Sequence, residues 1–284
     1  MRFNFLLAFI LFLGIHSFAQ PEAKNDTVRP WWEYGVQFGA FLADNYTANF
    51  YNGEGINDIT RITNNDNYRD LIKRSIPYEQ FQIGEMPQNM AYSATSMPGI
   101  HLEYHRDSST SFFINFQYVQ LKANDKFKVI DPNDDFGFEK YILSNIRATE
   151  ERVMIDIGTK KSWPATGHFS YYIIGGVSIN NTTVVSHKID IGTFTQSIKS
   201  NYSDEEENPH YPSNNYDFKQ GGIGLGFVGG VGIKLTYQQN LYAALDFTSY
   251  YSQTILPGRK KFGIHFAPML RLGYKASSLF PSGN

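Results

Sequence analysis

His101, Glu103 and His105 alternate along the chain. On an extended strand, residues two apart share a face, so these three side chains converge, and imidazole and carboxylate are both metal ligands. No second cluster in the sequence completes a coordination sphere. We therefore read the three as part of a hydrogen-bonded polar network, with no metal and no cofactor. Gly224-Leu225-Gly226-Phe227-Val228-Gly229 matches the G-x-G-x-x-G pattern, with Asp246 near the distance of a ribose-binding acid. That fingerprint needs an apolar strand before it and a helix after it. Here Tyr216-Asp217-Phe218-Lys219-Gln220 precedes it, and Ile223, Leu225 and Phe227 stay in step with Val231, Ile233 and Leu235 beyond it. No nucleotide is expected. Gly222, Gly224, Gly226, Gly230 and Gly232 instead leave room on the inner face of a strand. For hydrolysis the candidates are His187, Asp190 and His210. His187 and Asp190 are three apart, on opposite faces of a strand, and no G-x-S-x-G is present. The chain reads as non-enzymatic.

The elements that position these residues are strands. Period-two alternation recurs in eight segments, beginning at Tyr34, Ile100, Phe112, Val153, Tyr171, Ile223, Leu241 and Ile264. The connections alternate between long and short. The long or medium ones are 45–97, the stretch around Asp131-Pro132-Asn133-Asp134, 192–215 and Pro257-Gly258-Arg259-Lys260. The short ones are Asp107-Ser108-Ser109-Thr110, Pro164-Ala165-Thr166-Gly167 and Gln238-Gln239-Asn240. Short periplasmic turns and longer extracellular loops mark outer-membrane barrels. Aromatic residues fall at both ends: Trp31, Trp32, Tyr104, Trp163, Phe169, Tyr171, Tyr237, Tyr242 and Tyr274 at the short-turn end, and Tyr46, Tyr118, Tyr250, Tyr251 and Phe262 at the other. Such rings favour the membrane interface, and a soluble β-sandwich explains neither them nor the loop rhythm.

Composition agrees. The 284 residues are 16% aromatic and only 18% charged, with no Cys and a net charge of −2. No basic field is available for nucleic acid, and no thiol for a disulfide or nucleophile. The expected fold is all-β: an eight-stranded antiparallel transmembrane β-barrel over 31–276, with strands extended on the extracellular side, because strand-like texture runs on through Phe127, Val129, Tyr141, Ile146, Val184 and Ile189. The projecting sheet either offers its edges to a partner strand or is simply a well-ordered extracellular cap. Inside so narrow a barrel there is room for side chains and little else. The inward charges are Glu103, Asp156 and Asp246 against Arg152, Lys234 and Arg271, and these are expected to pair with one another as a plug.

Residues 1–19 have the form of a secretory signal peptide, with one positive charge, an apolar stretch from Phe5 to Ile15 and small residues Ser17 and Ala19 before Gln20. A polar tail at 20–30 follows, both termini are expected in the periplasm, and 277–284 forms a second tail. The loop 45–97 contains a candidate helix capped by Asn65 or Asp66 and stopped by Pro77. Its apolar residues Tyr68, Leu71, Ile72 and Ile76, continued by Phe81, Met86 and Met90, are expected to meet a protein partner or to close the barrel mouth as a lid.

The Ala19-Gln20 junction, Trp31-Trp32-Glu33-Tyr34-Gly35-Val36-Gln37-Phe38-Gly39 and Leu270-Arg271-Leu272-Gly273-Tyr274-Lys275 resemble the PorT-like outer-membrane β-barrel family across nearly the whole mature chain. The resemblance implies an eight-stranded barrel surrounded by outer-membrane lipid. It also implies an accessory subunit with protein partners in secretion or envelope-biogenesis machinery, type IX secretion among them. The alternatives are a small-solute channel and a barrel with an active site at its rim.

Overall fold

In the computed structural model, residues 30–133, 140–165, 168–198, 221–237 and 240–276 are described. Residues 1–19, read above as a signal peptide, residues 20–29, His210 with the rest of 199–220, and residues 277–284 lie outside them.

Ten strands form one sheet: β1 (Trp31–Phe41), β2 (Gln82–Ile83), β3 (Thr95–His105), β4 (Thr110–Ile130), β5 (Tyr141–Pro164), β6 (Phe169–Ile191), β7 (Phe194–Ser197), β8 (Gly221–Tyr237), β9 (Leu241–Leu256) and β10 (Arg259–Ala276). Eight of them, all but β2 and β7, close into an antiparallel ring in which each pairs with the next and β10 returns to β1, from Trp32↔Ala276 to Gly39↔Met269. The wall is uneven. β1 and β3 have 11 residues each, enough to cross a bilayer at about 9–11 residues per strand, whereas β4, β5 and β6 have 21, 24 and 23. The surplus rises beyond the ring at the long-loop end as a sheet of β4, β5 and β6.

Around the ring the outward faces are apolar and bare. Val36 is 63% exposed, Phe227 65% and Leu245 64%. No water-soluble protein leaves a continuous apolar band of this kind in solvent. Stacked or tilted aromatic pairs border it: Trp163 with Tyr171 and Tyr34 with Tyr274 at the short-turn end, Tyr251 with Phe262 at the other. Three aromatic residues expected in the girdles turn inward instead. Trp31 stacks on His105, Tyr242 is buried, and Tyr250 hydrogen-bonds to Gln117 and Asp156 inside the barrel. Strand parity puts them there: Trp31 lies two residues from the inward Glu33 on β1, and Tyr242 and Tyr250 each lie four from the inward Asp246 on β9.

The first long connection is folded. It contains α1 (Asn45–Ala48), α2 (Thr60–Thr63) and α3 (Asp66–Ser75). Asn65 caps α3, its side chain accepting from the Asn67 N–H at 3.1 Å, and Asp66 at the start with Lys73 and Arg74 at the end suit the helix dipole. The connection lies against the inner face of the β4–β6 extension as a cap. Ile72, Ile76, Phe81 and Met90 are buried there with Phe127 and Val129 of β4, Ile146 of β5 and Ile189 of β6; Tyr68 and Met86 pack on the same cluster. Of the apolar residues expected to meet a partner, only Leu71 faces solvent. The side chains expected to dock elsewhere thus fill the chain's own core. The edges of the extended sheet are likewise covered: β2 and the Tyr92 bridge lie along β4, and β7 lies along β6. Thr95 to Met97, assigned to the loop from sequence, belong to β3.

The glycines of β8 and β10 make room for aromatic rings on the neighbouring strands. Tyr172 lies opposite Gly232 and Tyr242 opposite Gly273. A Cβ at Gly232 would stand 2.4 Å from the Tyr172 ring, and one at Gly273 2.3 Å from that of Tyr242. Replacing Gly232 with Val should therefore displace Tyr172 and destabilise the barrel by about 1–3 kcal/mol, as overpacking does. The expected readout is a lower temperature for the shift from folded to unfolded mobility on an unboiled gel, and an unchanged transition would refute the close fit.

Candidate functional site

Three layers of side chains fill the barrel. The layer nearest the short turns is polar and tightly paired. Lys234 Nζ donates to both carboxylate oxygens of Glu33, at 2.7 Å each. Lys160 and the Ser111 hydroxyl donate to Glu103. His101 lies between Asn115 (Nδ1 to Oδ1, 2.6 Å) and Glu103 (Nε2 to Oε2, 2.9 Å), and His105 Nε2 is 3.2 Å from Glu33 and 3.1 Å from Glu103. Arg271 meets Asp246 at 2.9 Å, and Asp246 also accepts from the Tyr172 hydroxyl.

The sequence-predicted charges all point inward, but their partners differ from those expected. Arg271 with Asp246 is a pair within the expected set. Lys234 pairs with Glu33, Glu103 with Lys160, and Arg152 with Glu150. Among the described residues Asp156 meets no base; its carboxylate accepts from the Tyr250 hydroxyl at 3.1 Å. Glu33, Lys160 and Glu150 went unnoticed in the sequence. Parity would have found them, since Glu33 lies four residues before Gln37, Lys160 four after Asp156 and Glu150 two before Arg152.

Glu33, Glu103 and His105 bring their ligand atoms within 4.8 Å of one another. This is not the His101, Glu103 and His105 grouping that alternate spacing suggested. Both carboxylates already hold a lysine ammonium, so a divalent ion would have to displace the buried Lys160 and the half-buried Lys234. The geometry is that of a hydrogen-bonded network. The G-x-G-x-x-G segment lies within β8, a continuous strand, and opens no helix. His187 and Asp190 point to opposite faces: His187 is buried against the Tyr51 carbonyl (3.1 Å), while Asp190 pairs outside with Arg147 at 2.9 Å.

The middle layer is largely apolar, with the buried Gln117 opposite Met154 and its amide 3.9 Å from the Met269 sulfur. Phe41, Met97, Val119, Met154, Val228 and Met269, with Leu121, Tyr250 and Ala267, form one buried cluster. Seven of the eight walls contribute, so it crosses the lumen as a diaphragm.

Above it the cap is tied to the barrel by a buried ion pair. Arg152 Nε donates to Glu150 Oε1 at 2.6 Å, and the hydroxyls of Tyr51 and Tyr92, both from the first connection, donate to Glu150 Oε2 at 2.7 Å each. The Arg152 guanidinium also lies over the rings of Phe41 and Tyr92. An uncompensated buried charge is costly. Glu150→Ala should lower stability by about 3–5 kcal/mol, and Arg152→Met in the same chain should restore part of that loss. Denaturant titration of the four members of this cycle checks it; additive losses would show that the two groups do not act as a pair.

His187 gives the cap a pH dependence. Burial pushes its ring pKa down to about 4, against the opposing pull of its hydrogen bond to the Tyr51 carbonyl. A free ring titrates near 6.5. As pH falls, protons therefore bind the undocked state first. Docking is at full strength above about pH 6.5 and is weakened by roughly 3 kcal/mol by about pH 4. Hydrogen exchange in 184–191, corrected for intrinsic rate, should quicken across that window, and His187→Phe should remove the dependence.

A closed ring, an apolar outer band and a packed interior define a membrane-spanning β-barrel. No family model matches the chain, and no curated protein does. Among solved structures, Neisserial surface protein A is 8% identical, with 86% of this chain and 96% of that one covered at a TM-score of 0.42. The outer membrane protein OprG from Pseudomonas aeruginosa is 9% identical (87% and 96% covered, TM-score 0.37). Ail, the attachment invasion locus protein of Yersinia pestis, is 10% identical (86% and 98% covered, TM-score 0.33). The fold assignment rests on the strand ring and its apolar band, not on these similarities.

Proposed function

We propose that the chain is a non-conducting, non-enzymatic outer-membrane barrel that holds a folded cap outside the cell and serves as an interaction subunit of a larger envelope assembly. The apolar diaphragm carries this reading. A lumen crossed by Met, Phe and Val side chains, with hydrogen-bonded charges on one side and a packed cap on the other, offers solutes no wet path. The short turns would then face the periplasm together with both termini, and the export signal read in 1–19 supplies the route. The resemblance to PorT-like barrels favours a secretion or envelope-biogenesis assembly.

Planar-bilayer recording and partner capture test the two halves of the proposal. The purified barrel should give no stable openings of porin-like size. Leu71→Glu, on the solvent face of α3, should leave heat-modifiable migration intact while removing proteins that co-purify in mild detergent. Sustained conductance would favour the small-solute channel, and retained partners would move the contact away from α3.

A further inference from the structure

β3 and β4 are hydrogen-bonded only as far as Gly99 and Gln117. Beyond that point they part. Thr95 to Pro98 of β3 stay with Phe41 to Phe38 of β1, while β4 climbs into the extended sheet. There the cap takes over its edge, with Tyr92 opposite Ala123 and the Ser93 N–H donating to the Lys122 carbonyl at 2.9 Å. The divergence opens a groove of about 450 Å³ on the outer wall, lined by the polar side chains of Ser93, Thr95, Ser96, Tyr118, Gln120 and Lys122. Thr95 uses its hydroxyl on the Gln120 carbonyl, and the Gln120 amide donates to Glu151. Lys122 is exposed and has no acidic partner among the described residues.

Directly below the groove the same two strands present Ile100 and Phe116 to the lipid side. Lys122 is four residues past Tyr118, about 13 Å along the strand at ~3.3 Å per residue and less in height because barrel strands tilt. That is headgroup level. Beside Lys122 on the outward face, Arg147 stands directly opposite Lys188. Like charges in that relation destabilise a sheet. Among the described residues only Asp190 answers Arg147, and Lys126 adds a further cation to the same face. Among the described residues, Lys122, Lys126, Arg147 and Lys188 share this stretch of wall with the acids Glu151 and Asp190.

We propose that this groove and its flanking cations bind the phosphorylated headgroup of a lipid in the leaflet around the barrel. The proposal rests on the membrane reading above. The acyl chains would lie on Ile100 and Phe116, one phosphate would meet Lys122 and the groove hydroxyls, and a second anionic group would reach Arg147 and Lys188. A free anion could use the cations but not the apolar wall beneath them.

The test uses the full chain in phosphatidylcholine nanodiscs doped with diphosphorylated lipid A or with the same lipid stripped of phosphate. Lipid retained after detergent extraction is counted by native mass spectrometry. The phosphorylated form should be retained about tenfold better, in line with charge-assisted hydrogen bonds. The combined Lys122→Gln, Arg147→Gln and Lys188→Gln variant should lose that preference. Lys122→Gln alone should lose part of it, and Lys275→Gln at the opposite end none. Inorganic phosphate should not displace the lipid. Equal retention of the two lipids, an unaltered preference in the triple variant, or complete displacement by inorganic phosphate would overturn the site. A chain that enters no disc and shows no heat-modifiable form would overturn the membrane reading, and the site with it.

Discussion

Lipid favours apolar side chains on the outside of a barrel, and water disfavours them there. A strand that passes from one solvent into the other must therefore exchange its two faces. β4 does so without breaking step. Phe112, Phe116 and Tyr118 point outward in the apolar band, and Lys122, Asn124 and Lys126 continue that face above it. On the inner face Asn115 and Gln117 give way to Val119, Leu121 and Phe127. β5 changes in the same way between Val153 and Arg147. β6 shifts register by one residue near Val185, opposite Thr149 and Glu150. The exchange turns the inner face of the extension apolar, and an apolar inner face above the ring needs something to cover it. The cap is the element that does so.

The interior follows from the same constraint. Glycines let the walls approach, aromatic rings fill the space they leave, and charges that point inward must find partners across a narrow gap. In the lowest layer Lys234 and Lys160 reach past neighbouring strands to Glu33 and Glu103, while Arg271 meets Asp246 on the adjacent strand. At the top, Glu150 is satisfied jointly by Arg152 from its own strand and by two tyrosines of the cap. That buried pair joins cap and barrel, and a half-made version of it is worse than none.

Much of this was legible in the sequence because strand parity is a strict code. The eight alternating segments, the continuation of three strands past the bilayer and the inward direction of every expected charge all follow from it. Expectation failed where another rule was allowed to override parity. Trp31, Tyr242 and Tyr250 were assigned to the girdles because they are aromatic and near strand ends, although their parity is that of inward residues. The pairing of Lys234 with Glu33 is a different matter. The two are 201 residues apart on strands that are not neighbours. Such contacts depend on how the ring closes, which local pattern does not encode. The apolar face of α3 was equally visible, but a pattern cannot say whether such a face meets a foreign protein or the chain's own sheet.

The seam between β1 and β10 joins the first strand of the ring to the last, with Trp32 opposite Ala276. No other pairing in the ring spans so much chain. Every strand in between can form against a sequence neighbour, but this one forms only when the whole wall exists. Closing so long a loop carries the largest entropic cost in the molecule and comes late. Until then the growing sheet has two bare edges, each a row of unpaired amides and carbonyls that lipid cannot solvate. An unfinished barrel of this kind is therefore a hazard to its neighbours, and the cell must shelter both edges until the first strand meets the last.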